Sequence, residues 1–161
     1  DLHAVVRRQR QMCIRDSSLI ESKQTYGQVE TNLRTLALRD GETLTGSRQL
    51  QGQSPYLINA SLDFNNQNGT RAGLYFNMQG KTLEVVGAGY NPDIYTHPFE
   101  SLNFTFSKRF GQESKKSINI KVENILGSKR ESYAESFRSI DQIYTFRDPG
   151  LKFSLGYSIN L

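Results

Sequence analysis

Every second residue from Tyr56 to Phe64 is apolar: Tyr56, Ile58, Ala60, Leu62 and Phe64, with Asn59, Ser61 and Asp63 between them. After Asn68-Gly69 the alternation resumes, with Ala72, Leu74, Phe76 and Met78 set against Arg71, Gly73, Tyr75, Asn77 and Gln79. Successive side chains of a strand point to opposite faces, so each run predicts a strand with one apolar and one polar face. Asn and Gly accept positive φ at little cost, which makes Asn68-Gly69 a hairpin turn between strands near 54–65 and 70–87. A further strand is predicted near 99–110, with Leu102, Phe104 and Phe106 on one parity, and another where Ile118, Ile120 and Val122 alternate with Asn119, Lys121 and Glu123. The last segment alternates throughout: Leu151, Phe153, Leu155, Tyr157, Ile159 and Leu161 share one parity, and Lys152, Ser154, Gly156, Ser158 and Asn160 the other. Residues 17–28 read as a first, weakly patterned strand. Residues 29–53 are polar and read as a long loop or extended strand ends, with a short helical stretch near 33–38 that no capping residue supports. The expected fold is all-β: an antiparallel up-and-down meander of about six strands.

The connections alternate in length. Asn66–Gly69 and Gly111–Lys116 are short, whereas 88–98 and 127–148 are long and rich in Gly, Asn, Pro and polar residues. In a meander, alternate turns lie at opposite ends of the sheet, so one end would carry tight turns and the other large loops. Outer-membrane barrels have this asymmetry. A soluble barrel, whose two ends both meet water, has no need of it. Two other features point the same way. Aromatic residues fall near expected strand ends (Tyr56, Phe64, Tyr90, Tyr95, Phe99, Phe110, Tyr144 and Phe146), as in the girdles at lipid–water boundaries. The polar stripe is mostly Asn, Ser, Thr, Gly and Gln, where a soluble surface carries more charge.

On this reading Tyr56, Ile58, Leu62, Phe64, Leu74, Phe76, Met78, Leu102, Phe104, Phe106, Ile118, Ile120, Val122, Phe153, Leu155, Tyr157 and Ile159 face lipid. Asp63, Arg71, Tyr75, Arg109, Lys121 and Glu123 face a watery lumen. The alternation alone also fits a soluble barrel whose apolar stripe fills its interior and binds an apolar ligand. The two readings differ in whether Tyr56, Leu74, Phe104, Ile120 and Leu155 are exposed or buried together. A small complete outer-membrane barrel needs about eight strands, more than the six expected.

Composition refines this picture. The 161 residues are 36% hydrophobic and 11% aromatic, without tryptophan, and the mean hydropathy is −0.58. No segment approaches the roughly 18 apolar residues of a membrane helix, but a membrane strand needs only about 9–11 residues with alternate ones apolar. Residues 1–16 contain Arg7, Arg8, Arg10 and Arg15 and lack the apolar stretch of a secretory signal. A basic run of this kind suits nucleic acid or an anionic membrane surface. The stretch Val5–Ser17 also closely resembles a translated sequencing-adapter remnant, so residues 1–16 are set aside as non-native and disordered, and no nucleic-acid partner is expected. Their four arginines and two aspartates account for +2 of the formal charge of +4, and the one cysteine, Cys13, goes with them. Of the two histidines, His3 and His97, the latter lies in a long loop without a second His or Cys at ligand spacing. Asp93, Asp141 and Asp148 are scattered loop carboxylates, and Gly87-Ala88-Gly89 lacks the Lys-Ser/Thr of a phosphate loop. No nucleophile–base pair is evident, and no catalysis, cofactor or metal is expected.

At RQLQGQSPYLINASLDF (Arg48–Phe64) the chain resembles the last third of the barrel in TonB-dependent outer-membrane receptors of the Bacteroidetes type. LQGQSPYLINASL is the most specific part, and NPDIYTHP, VENILGSK and PGLKFSLGYSINL fit in the same order. The resemblance covers residues 17–161. It implies a C-terminal segment of a barrel of about 22 strands, plugged by an N-terminal domain and importing a scarce nutrient such as chelated iron, cobalamin, a glycan or a peptide. It implies the bacterial outer membrane as location. The implied partners are outer-membrane lipid, the rest of the barrel and its plug, the TonB complex acting through an N-terminal box, and the barrel-assembly machinery. That machinery reads a glycine and two hydrophobic residues at the end of the last strand; Gly156, Ile159 and Leu161 fit, although the family often ends in Phe. The first strand of such a fragment would carry an unpaired edge.

Overall fold

The computed structural model of the chain describes residues 10–66, 68–111 and 115–159, with residues 10–13 and 15 described by backbone alone. In chain order, β1 (Arg10–Leu19) leads through β2 (Lys23–Thr25), α1 (Gln28–Leu36) and β3 (Ser47–Gln49) to the hairpin β4 (Tyr56–Asn66) and β5 (Thr70–Gln79). Then come β6 (Thr82–Val85), β7 (Asp93–Thr96), β8 (Phe99–Phe110) and β9 (Lys116–Glu123), followed by β10 (Arg130–Glu135), β11 (Gln142–Arg147) and β12 (Lys152–Ile159). These strands form a six-stranded sheet in the order β1-β4-β5-β8-β9-β12, a four-stranded sheet in the order β11-β10-β7-β6, and a two-stranded ribbon of β2 and β3. Every pairing is antiparallel.

The large sheet is an up-and-down meander: its strands neighbour one another in the order in which the chain visits them. Tight turns link β4 to β5 and β8 to β9, at the end marked by the pairs Asn66–Thr70 and Phe110–Lys116. Three long excursions, 20–55, 80–98 and 124–151, leave from the opposite end, next to Leu19, Gln79 and Glu123. The expected alternation of short and long connections is thus present in the register itself.

The excursions are not loose loops. The second and third supply β6, β7, β10 and β11, which pair into the smaller sheet. The first is tied to the second by Gly52 N donating to Leu83 O (2.8 Å) and Gln51 Nε2 donating to Glu84 O (2.9 Å), and to the third by Arg39 Nη1 donating to Phe137 O (2.8 Å). Together they make a folded cap on one end of the meander. The two buried hydrophobic side chains among the described residues, Leu83 at 0% exposure and Ile94 at 9%, both belong to this cap. Thr82, Thr96 and Ser132 are buried beside them and hydrogen-bonded.

Several expectations need correction. The stretch 70–87 is two strands rather than one: β5 ends at Gln79, and Gly80 N turns back to donate to Tyr56 O (3.0 Å). The helical stretch expected near 33–38 is a longer helix starting earlier, Gln28–Leu36, the rest of 29–53 holds a short strand, and the long loops contain three of the cap strands. The helix has no side-chain N-cap, as expected, but it gains an i,i+4 ion pair between Glu30 and Arg34 (3.1 Å). Arg10–Asp16, expected to be disordered, pair with β4 over their whole length. The physical reason is that the far side of β4 presents a row of unpaired N–H and C=O groups, an edge that any extended chain nearby can satisfy. Residues 1–9 lie outside the described residues.

Leu83 anchors the cap, so Leu83→Ala should lower the unfolding free energy by about 2–4 kcal/mol through lost burial and a residual cavity. Urea unfolding followed by circular dichroism will measure this. A loss under about 1 kcal/mol would place the core elsewhere.

Candidate functional site

Directly opposed residues in a ladder share a face, so the pairing distributes the side chains without ambiguity. Leu62, Leu74, Phe104, Val122 and Phe153 form one transverse row, and Phe64, Ala72, Phe106, Ile120 and Leu155 form the next. Ala60, Phe76 and Leu102 lie on one side of these rows, with Ile58 and Met78 beyond them. Ile118 and Tyr157 lie on the other side. All seventeen residues assigned to the apolar side in the sequence therefore occupy one face. Asp63, Arg71, Tyr75, Arg109, Lys121 and Glu123 occupy the other. Gly156 sits in β12 opposite Asn119, and Ile159 is opposite Lys116; Leu161 lies outside the described residues.

Among the described residues, the elements whose backbones run close together are hydrogen-bonded neighbours, and much of the apolar face is open to solvent. Phe153 and Leu155 are 65% and 68% exposed, and Ile58, Leu62 and Leu74 are exposed as well. Tyr56, Phe104 and Ile120 are of intermediate exposure, the Tyr56 ring lying against Gly80. β1 and β12 remain the two edges, and no closed barrel forms among the described residues.

The apolar run is not level with the register. It covers Tyr56–Phe64 on β4, Ala72–Met78 on β5, Leu102–Phe106 on β8, Ile118–Val122 on β9 and Phe153–Ile159 on β12. Carried through the pairing, its midpoint drifts toward the tight-turn end at each step. The drift is about one residue per strand; with about 3.3 Å per residue and about 4.8 Å between strands, a straight band would be crossed by strands tilted roughly 35–40°. Charged residues on this face lie at its margins: Glu100 opposite Met78 at the cap end, and Lys108 and Lys116 at the tight-turn end. Along β1 the pattern stops, since Arg15 pairs with Ala60 in the middle of the run.

The polar face is cross-linked by its own side chains. Tyr75 Oη donates to Asp63 Oδ1 (2.6 Å), Asn77 Nδ2 donates to Asn59 Oδ1 (2.5 Å), and Lys121 pairs with Glu123 (2.9 Å). The Tyr75 ring lies across Gly73, so a Cβ there would push the ring aside and with it the Tyr75–Asp63 hydrogen bond. Arg71 and Arg109 are exposed at the tight-turn end.

Where β9 enters the cap, Asn124 adopts φ 55° and is 6% exposed. Its amide donates to Ser128 O and Gly150 O (both 3.1 Å) and accepts from Ser128 N (3.0 Å), closing the third excursion over the start of β12. In the first excursion Arg34 is the hub. It donates to Asp93 through two nitrogens (3.2 and 2.8 Å), to Glu30 (3.1 Å) and to Gly87 O (3.4 Å), and it stacks over Tyr26. Arg48 joins the same Glu30 oxygen (3.0 Å). Burial works against the Arg34 charge, but the hydrogen bonds and charges of Asp93, with help from Tyr26 and Glu30, more than offset it and hold its pKa above the ordinary value. Asp93 also accepts from Gly87 N (2.7 Å), and a Cβ at Gly87 would overlap the carbonyls of Asn91 and Pro92. Gly87 is thus a point of close backbone approach.

Asp93 is likewise no solvated loop carboxylate but the anchor of Arg34. Asp148 caps Gly150 N (2.9 Å), and Asp141 is exposed, so the three do not act together. His97 stacks on Tyr133 (4.4 Å between centroids) with Nε2 3.4 Å from Glu135. No cluster of three metal-ligating side chains occurs among the described residues. Between the C-terminal end of α1 and the 89–93 and 135–137 segments lies a cleft of about 590 Å³, lined by Arg34, Arg39, Tyr90, Tyr95, Phe137 and Asp141 among others. Of the aromatics expected at strand ends, Tyr56, Phe64, Phe99 and Phe110 are at the ends of β4 and β8, whereas Tyr90, Tyr95, Tyr144 and Phe146 belong to the cap. Comparison with protein-family models, curated proteins and solved structures returns no match.

Glu84 in the cap accepts hydrogen bonds from Ser132 Oγ and Thr96 Oγ1, which, with Arg130 nearby, hold its pKa below the ordinary 4.5. A lowered native value contributes stability that is complete above the unfolded pKa and is lost as pH falls through the native one. The difference in unfolding midpoint between wild type and Glu84→Gln should therefore be constant near neutrality and shrink below about pH 4.5. A difference that grows on acidification would contradict the assignment.

Proposed function

We propose that the chain is the C-terminal part of a transmembrane β-barrel in a bacterial outer membrane, in a receptor of the TonB-dependent type that takes up a scarce nutrient. The observation that carries this reading is the uncovered, slanting apolar band. A sheet in water buries such a face; a barrel in lipid leaves it outward and crosses a level hydrocarbon layer with strands tilted about 35–45°. Along β4 the band measures about 26 Å of extended chain, or about 20 Å of height at that tilt, close to the roughly 25 Å apolar belt of such barrels. The soluble-barrel reading requires these residues in a dry interior, and the buried hydrophobic side chains among those described lie in the cap instead.

In this reading the polar face with Asp63, Tyr75 and Lys121 lines the lumen. The tight turns are periplasmic and the cap is external. β1 occupies the edge that the preceding barrel strand takes in the whole receptor. The plug and the TonB contact belong to more N-terminal parts of the receptor. Gly156, Ile159 and Leu161 serve barrel assembly. The cleft beside Arg39 and Tyr90 is one of the openings of the cap to an arriving ligand.

An arginine on the lipid face of a barrel costs about 2–4 kcal/mol at the midplane. In the complete receptor Leu155→Arg should abolish the folded, heat-modifiable band on gels of outer-membrane fractions, and Ser154→Arg should retain it. Equal behaviour of the two would overturn the assignment of faces.

A further inference from the structure

The tight-turn end of the sheet carries a charge pattern that transport does not use. Residues 65–71 and 108–117 contain Arg71, Lys108, Arg109, Lys115 and Lys116 against one carboxylate, Glu113. Two of these cations, Lys108 and Lys116, stand on the apolar face itself, at its lower margin. The register interleaves them with apolar and aromatic residues: Lys108, Ile118 and Tyr157 form one transverse row, and Phe110, Lys116 and Ile159 the next. The Phe110 and Tyr157 rings lie diagonally between them, with centroids 6.3 Å apart. Lys108 Nζ donates to Thr70 Oγ1 (2.7 Å) and Asn68 O (3.1 Å), which fixes the ammonium at the turn and leaves one of its three donors outward. Lys116 is exposed, and neither lysine has an ion-pair partner among the described residues.

Two ammonium groups beside the Phe110 and Tyr157 rings, at the boundary between an apolar band and water, match an acidic phosphodiester whose acyl chains continue along the band. We infer that this rim is a headgroup site for an anionic glycerophospholipid of the leaflet on the tight-turn side; the inference rests on the lipid-facing reading above. Each cation near an anionic surface strengthens binding about fivefold at low salt and less as salt screens it.

The test is flotation of the 161-residue chain, with Arg7, Arg8, Arg10 and Arg15 changed to Gln in every sample, wild type included, so that the N-terminal basic run adds no anionic preference, with vesicles of phosphatidylcholine alone and of phosphatidylcholine mixed with phosphatidylglycerol. Wild type should bind both and prefer the anionic vesicles by at least about tenfold at low salt, with the preference falling as salt is raised. Lys108→Gln/Lys116→Gln should bind neutral vesicles as wild type does and lose the preference. Lys108→Arg/Lys116→Arg should keep it, and so should Arg71→Gln/Arg109→Gln, which alters the opposite face. A preference that survives the double Gln substitution, or that vanishes only with the Arg71 and Arg109 changes, overturns the headgroup site. Failure of wild type to bind neutral vesicles would instead contradict the lipid-facing reading itself.

Discussion

A sheet with a continuous apolar band on one face has to meet something apolar. Lone strands escape this constraint by twisting or slipping, but a ladder of neighbours cannot, because a one-residue slip in any strand would move its apolar set to the wrong side. In this protein the constraint acts across β4, β5, β8, β9 and β12 at once. Each strand contributes the same parity to the same face, and the pairings carry those residues into continuous rows. The hydrogen-bond ladder supplies no preference for lipid or for a protein core. The proposed membrane reading draws instead on the exposure of the rows among the described residues, together with the slant of the band, which a stationary core does not require and a tilted barrel strand does.

The cap follows from the same geometry. Antiparallel strands that turn tightly at one end must send their longer connections from the other, so three polar segments converge there. Each is too short to bury much by itself. Together they supply Leu83, Ile94, the Glu84–Thr96–Ser132 cluster and the Arg34–Asp93 pair, enough to order about half of the chain outside the large sheet. Asn124 and Gly87 fix the places where the chain changes direction, one by its amide and its φ of 55°, the other by leaving room for the backbone of Asn91 and Pro92.

The strands of the meander were legible because period two is a local signal repeated over eight or more residues, as in β4, β8 and β12. The faces were legible for the same reason. The cap strands were not. Asp93–Thr96 is four residues inside a stretch of Gly, Asn and Pro, and β10 and β11 alternate weakly because their partners, rather than their own pattern, hold them extended. The helix over Gln28–Leu36 was legible only in part, as a stretch near 33–38, for want of a capping side chain; its support is tertiary, through Arg34 to Asp93 fifty-nine residues away. The pairing of Arg10–Asp16 with β4 was invisible for a different reason: it depends on an open edge and not on any pattern in those residues.

The central claim is that the apolar rows meet hydrocarbon. It is tested most directly by placing single fluorescent labels, on a Cys13→Ser background, at each position from 152 to 158 of β12 in the protein reconstituted in phospholipid vesicles. Quenchers carried on lipid acyl chains should reach 153, 155 and 157, while aqueous iodide reaches 152, 154, 156 and 158. Labels at 153, 155 and 157 that are shielded from both quenchers would mean a sealed protein interior, and the account would be wrong.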